Sequence, residues 1–226
     1  MIKGTNAINK LTEVNDKPKK NALQYIKAGT TLKVCIPNSQ EVAQVFTHGA
    51  YGFFNSFLCT GDDLIDKAVK MLYEDASKEV NPKKAEELKE KAYTLKAKER
   101  YLFGFFKLED GEPLLVDLSK KQGQSVLQII TQYKDVLTQF SFQLSKLEGG
   151  TISLSPILTP LTPEEKAIFD KVKGTELPID LYENAVIKRD IEGQIEDLTK
   201  FGIDVSRLIS SKSPATNSDN IDNLPF

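Results

Sequence analysis

Thiol and imidazole chemistry are scarce in this chain: its 226 residues include two cysteines, Cys35 and Cys59, and one histidine, His48. Two cysteines argue against a disulfide scaffold, and in a reducing compartment both read as small buried hydrophobes. One histidine leaves little general-base chemistry. None of the patterns G-x-x-x-x-G-K-[ST], G-x-S-x-G or H-E-x-x-H occurs, so the chain reads as a non-enzyme without a cofactor. No apolar run approaches the ~18 residues that span a bilayer. The start, Met1-Ile2-Lys3-Gly4-Thr5-Asn6, lacks the apolar core of a signal peptide. A cytoplasmic protein with no membrane partner is therefore expected. Charge of one sign is lacking too: the net is −2, although residues 1–150 sum to +3 and residues 151–226 to −5. The front part is the better anion binder.

What is present is a packed-core composition, 40% hydrophobic, enough for one sizeable domain with appendages. Residues 1–22 are polar and contain Lys17-Pro18-Lys19-Lys20, which predicts an extended basic arm. Alternation over Thr31-Leu32-Lys33-Val34-Cys35-Ile36 predicts a strand closed by Pro37. A second strand follows from Glu41, then a bend at Gly49 and Gly52, then a third through Phe53, Phe54, Phe57 and Leu58. Asp62-Asp63 opens a helix with acids at its positive end, and Asn81-Pro82 starts another, Lys83 to Lys98.

Arg100 to Lys107 and Leu114 to Leu118 read as a hairpin about Asp110-Gly111. A helix from Ser119 to about Tyr133 precedes a second hairpin, Phe140 to Leu144 and Thr151 to Leu154, turning at Glu148-Gly149-Gly150. The chain is helical from Thr162, with a longer stretch from Glu183 to Phe201. The predicted fold is α+β, mainly β: a five-stranded, partly open barrel of the OB type over residues 23–158, with a helical insertion at about 62–98. A helical appendage, 159–205, and a disordered tail, 206–226, complete the expected organisation.

A domain that grips single strands needs cations for phosphates and aromatic faces for bases. Candidate stacking residues are Tyr51, Phe53, Tyr101, Phe103 and Phe105, interleaved with Lys33, Arg100 and Lys107. Lys84, Lys91 and Lys98 on the charged helix are further phosphate candidates. Tyr51 and Tyr101 stand out because a phenol tolerates water and both lie beside turns or charges. Asp62, Asp63 and Asp66 read as helix-dipole and capping residues.

The last residues are Asp219, Asn220, Ile221, Asp222, Asn223, Leu224, Pro225 and Phe226. This ending resembles the tip of bacterial single-stranded DNA-binding proteins, and the resemblance implies a docking peptide made of Asp219, Asp222, Leu224, Pro225, Phe226 and the terminal carboxylate. The stretch Leu32 to Tyr73, through Val34-Cys35-Ile36-Pro37, His48-Gly49 and Cys59, resembles single-stranded DNA-binding proteins of T-even bacteriophages. That likeness implies non-sequence-specific binding of single-stranded DNA in replication, recombination and repair, with partner enzymes recruited by the tip. Self-association on DNA is a further partner reading, and a phage-encoded chain would reside in the host cytoplasm. In that family a histidine and cysteines bind zinc. Here His48 and Cys59 lack a later C-x-x-C, and two ligands do not make a tetrahedral site, so no metal is expected. The alternatives are a phage structural or assembly protein, or an OB-fold adaptor that binds protein alone.

Overall fold

Short alternating runs become strands and the Ala-, Glu- and Lys-rich runs become helices in a computed structural model that describes residues 22–209. The described residues are α+β. Seven strands, β1 (Thr31–Cys35), β2 (Val42–Ala50), β3 (Phe54–Leu58), β4 (Lys98–Lys107), β5 (Pro113–Ser119), β6 (Phe142–Lys146) and β7 (Ile152–Pro156), join in the order β3-β2-β4-β1-β6-β7, with β5 also on β4. The order does not return on itself, so the sheet is open rather than a five-stranded closed ring. The helices are α1 (Leu64–Lys78), α2 (Pro82–Leu95), α3 (Lys120–Gln132), α4 (Pro163–Val172), α5 (Ile179–Glu183), α6 (Ile191–Lys200) and α7 (Ser206–Ile209).

Two compact units share these elements. Unit 1 takes residues 22–46 and 99–187, and unit 2 takes 47–98 and 188–209. Helices α4 and α5 therefore belong to unit 1, and α6 and α7 to unit 2.

In unit 1 the sheet is buried on both faces. Phe103, Phe105, Val116 and Phe142 meet Val126 and Ile130 of α3 on one side, while Leu102 and Leu115 meet Leu177 and Ala185 on the other. The β4–β5 hairpin turns at Gly111, whose φ of 74° is one that L side chains rarely adopt. Helix α3 starts with a reciprocal cap: Gln122 N–H donates to Ser119 Oγ at 3.4 Å, and Ser119 N–H donates to Gln122 Oε1 at 2.9 Å. Thr162, Pro163 and Glu165 build the same device on α4.

In unit 2, α1 and α2 pack together, and Ile65, Ala68, Leu72, Ala92 and Leu95 bury against Phe57 of β3 and Leu198 of α6. The continuous helix expected from Glu183 to Phe201 is interrupted. Asp190 stops it from running through, because its carboxylate accepts from Gly193 N–H at 2.8 Å and makes a fresh N-cap for α6. Helix α1 holds a second departure. Asp63 sits at the N-cap position yet makes no side-chain cap hydrogen bond. The Leu64 N–H donates instead to Gln194 Oε1 of α6, at 2.8 Å. Among the described residues no helix is long and apolar enough to cross a membrane.

Candidate functional site

The residues expected to bind a strand divide sharply by environment. Phe103 and Phe105 are core, 2% and 0% exposed, and this corrects their reading as stacking platforms. A ring that closes a core against α3 has no free face for a base. Tyr101, half-buried beside them, donates its hydroxyl proton to Glu99 Oε1 at 2.7 Å. The unit 1 cations are already paired: Lys33 Nζ with Glu165, Arg100 Nε with Asp117 and Lys107 Nζ with Asp110, each at 2.7 Å. A phosphate would have to displace a carboxylate to use them.

Unit 2 is different. Tyr51 is fully exposed in the turn between β2 and β3, and Phe53 is 51% exposed with its ring edge-on to Phe201 at 4.9 Å. Phe53 N–H donates to Ala50 O at 3.0 Å across this turn, and Gly52 takes a φ of 83° within it. That geometry faces Tyr51 to solvent by backbone conformation rather than by chance. Lys84, Lys91 and Lys98 are exposed, and among the described residues none of them has a carboxylate within ion-pair distance. Lys84 and Lys91 lie two turns apart on one face of α2. The tip residues Asp219, Asp222, Leu224, Pro225 and Phe226 lie outside the described residues.

The structure also assembles a group of donors within unit 2. His48 on β2, Cys59 just beyond β3, and Asp63 and Asp66 at the start of α1 bring one ligand atom each to within 4.8 Å of one another. The hairpin register sets His48 opposite Phe57, whose ring lies 5.6 Å from the imidazole. His48 Nδ1 lies 2.9 Å from Leu95 O. A carbonyl only accepts, so this contact places a proton on Nδ1 and leaves Nε2 as the ring's outward ligand atom. Nε2 is fully buried and has no hydrogen-bond partner. It faces Asp63 Oδ2 at 3.5 Å and Asp66 Oδ1 at 3.6 Å.

The surrounding groups fix these carboxylates. Thr60 donates to Asp63 from its N–H at 2.6 Å and from its hydroxyl at 2.9 Å, and Gln194 Nε2 donates at 3.2 Å. Burial opposes ionisation of Asp63, but these donors and His48 outweigh it and hold the carboxyl below its ordinary value. Cys59 Sγ lies 3.6 Å from Asp66 Oδ2. Its thiol is pushed up to about 11, first by desolvation, which a Gly61 backbone hydrogen bond opposes, and further by Asp66 and Asp63.

The two donors counted from the sequence, His48 and Cys59, are thus joined in space by two carboxylates. The second pair comes from Asp63-Leu64-Ile65-Asp66, the N-cap residue of α1 and a residue of its first turn. Reading those acids as caps hid them, and the signal was the D-x-x-D spacing a few residues after Cys59. Cys35 is not part of the group. It packs with Leu108, Phe169 and Val172 in unit 1, and burial, partly offset by Lys173, pushes its thiol up to about 12. No protein-family model matches this chain, and no curated protein matches it significantly.

Proposed function

We propose that this chain binds single-stranded DNA without sequence preference, shielding exposed strands during replication, recombination and repair. The observation that carries the reading is the exposed aromatic pair Tyr51 and Phe53 on one turn, in the same unit as the exposed Lys84, Lys91 and Lys98, which have no carboxylate partner among the described residues. A tyrosine held fully in water returns no packing free energy, whereas a stacked base returns roughly 1–3 kcal/mol. The lysines supply phosphate neutralisation. Within this reading the open sheet is a variant of the OB-type barrel, and the tip from Asp219 to Phe226 docks replication or recombination enzymes. The chain acts by binding rather than by catalysis.

The deciding experiment is fluorescence anisotropy with labelled oligothymidine at two salt concentrations. Binding that weakens steeply with salt, and weakens again in Tyr51→Ala, supports the proposal. No binding at low salt overturns it in favour of an assembly protein or a protein-only adaptor. Removal of Leu224 to Phe226 is expected to leave strand binding intact and to abolish capture of partner enzymes.

A further inference from the structure

We propose that His48 Nε2, Cys59 Sγ, Asp63 and Asp66 together hold one zinc ion in a closed tetrahedral site. The inference does not depend on strand binding. It starts from the imidazole: Nε2 is fully buried, faces two carboxylates and has no hydrogen-bond partner, and a cation among them would complete it.

The spacing around Nε2 leaves room for that cation. Charge-assisted hydrogen bonds between an imidazolium and a carboxylate close to about 2.7–2.9 Å, but the distances here are 3.5 Å and 3.6 Å. Zinc bonds of about 2.0–2.3 Å drawn to the corners of a tetrahedron put neighbouring donors roughly 3.3–3.7 Å apart. The four ligand atoms lie within 4.8 Å of one another, so modest inward shifts of these side chains would bring them onto one ion.

The outer contacts agree. Leu95 O fixes the histidine tautomer, and Thr60 and Gln194 fix Asp63. Such partners orient metal ligands in general. Asp63 makes no cap bond to α1; its Oδ2 faces His48 while accepting from Thr60 N–H. Donor chemistry narrows the choice of metal. One sulfur and one nitrogen disfavour calcium and magnesium, and two carboxylates disfavour copper(I), whereas zinc accepts the mixed set. On binding, the Cys59 thiol releases its proton to solvent, and two carboxylates and a thiolate leave the loaded site at −1. With a single thiolate the site is expected to exchange its ion with chelators far more readily than a thiolate-rich one. The ion links the β2–β3 hairpin, which bears Tyr51, to the first turn of α1.

The test uses the full chain stripped with a chelator and titrated with zinc or cobalt(II). The expected results are one ion per chain, a cobalt spectrum of tetrahedral intensity with a thiolate charge-transfer band, and a rise in thermal midpoint with zinc. Cys59→Ser should remove the band. Asp66→Asn, at a partly exposed residue whose change spares the fold, should lower zinc affinity by about tenfold to hundredfold. The proposal is overturned if binding is absent or substoichiometric, if the cobalt spectrum lacks the thiolate band, or if both variants bind as the parent does. None of these measurements involves an oligonucleotide, so a failure here is distinct from a failure of strand binding.

Discussion

Tyr182 donates its phenolic proton to Glu41 Oε2 at 2.7 Å, and the same hydroxyl rests against the bare Cα of Gly104. The other oxygen of Glu41 accepts from Asn38 Nδ2 at 2.8 Å and from Leu177 N–H at 3.2 Å. Burial and the Glu41 carboxylate push the Tyr182 phenol well above its ordinary value, so it stays a donor. Glycine at 104 is what gives β4 room for this contact, since a Cβ there would collide with the hydroxyl.

Tyr182→Phe should therefore lower unit 1 stability by about 1–3 kcal/mol, the cost of a half-buried charged acceptor losing its donor. Gly104→Ala should cost a similar amount by displacing the same ring. In urea denaturation the double variant should resemble the worse single variant, because both changes remove one hydrogen bond. Additive losses would show that Gly104 matters for another reason.

Phe105→Ala and Tyr51→Ala should separate folding from binding. Truncating fully buried Phe105 leaves a cavity and should cost about 3–5 kcal/mol. Truncating Tyr51, which packs on nothing, should change stability by less than about 0.5 kcal/mol. Thermal melts check both, and a Tyr51→Ala chain that melts early would mean that the ring is not free in solution.

The first turn of α1 should depend on a residue far away in sequence. Gln194→Ala removes the acceptor for Leu64 N–H and a donor to Asp63, with an expected loss of about 1–3 kcal/mol. Asp62→Asn, at an exposed site that makes no cap, should be almost neutral. Chemical denaturation of both variants checks this, and the reverse ranking would restore the local acids as the cap.

Acid should weaken the link between α7 and α1. Arg207 forks onto Asp75 at 2.7 Å and 3.0 Å, and this hydrogen bonding is the main cause holding the Asp75 carboxyl below its ordinary value. A depressed carboxyl contributes stability that is fully present above its unfolded pKa of about 3.9 and is lost as pH falls through the lower folded value. The stability gap between the parent chain and Asp75→Asn should stay constant at neutral pH and close below about pH 4. A gap that instead narrows near pH 6 would assign the effect to another group.

Much of this fold was legible because its signals are local. Asp110-Gly111 and Gly149-Gly150 mark hairpins that form where expected, and Ser119 and Thr162 begin helices with their full capping boxes. What alternation could not decide was the fate of β4. A strand covered on both faces buries Leu102 as completely as Phe105, so period two no longer separates interior from surface. The donor group was obscure for a related reason. Aspartate at a helix start serves equally as cap or as ligand, and only the arrival of Gln194 from α6 shows which role Asp63 has taken.

That arrival carries a consequence for how the chain is made. Leu64 and Gln194 are 130 residues apart, which at ribosomal speed is on the order of ten seconds of synthesis. Until that interval ends, Leu198, Ile203 and Leu208, which complete the core around α1, do not yet exist. Unit 2 is thus begun early and closed last. In the nascent polypeptide the apolar stripe of α1 is a standing target for chaperones and proteases until α6 is translated.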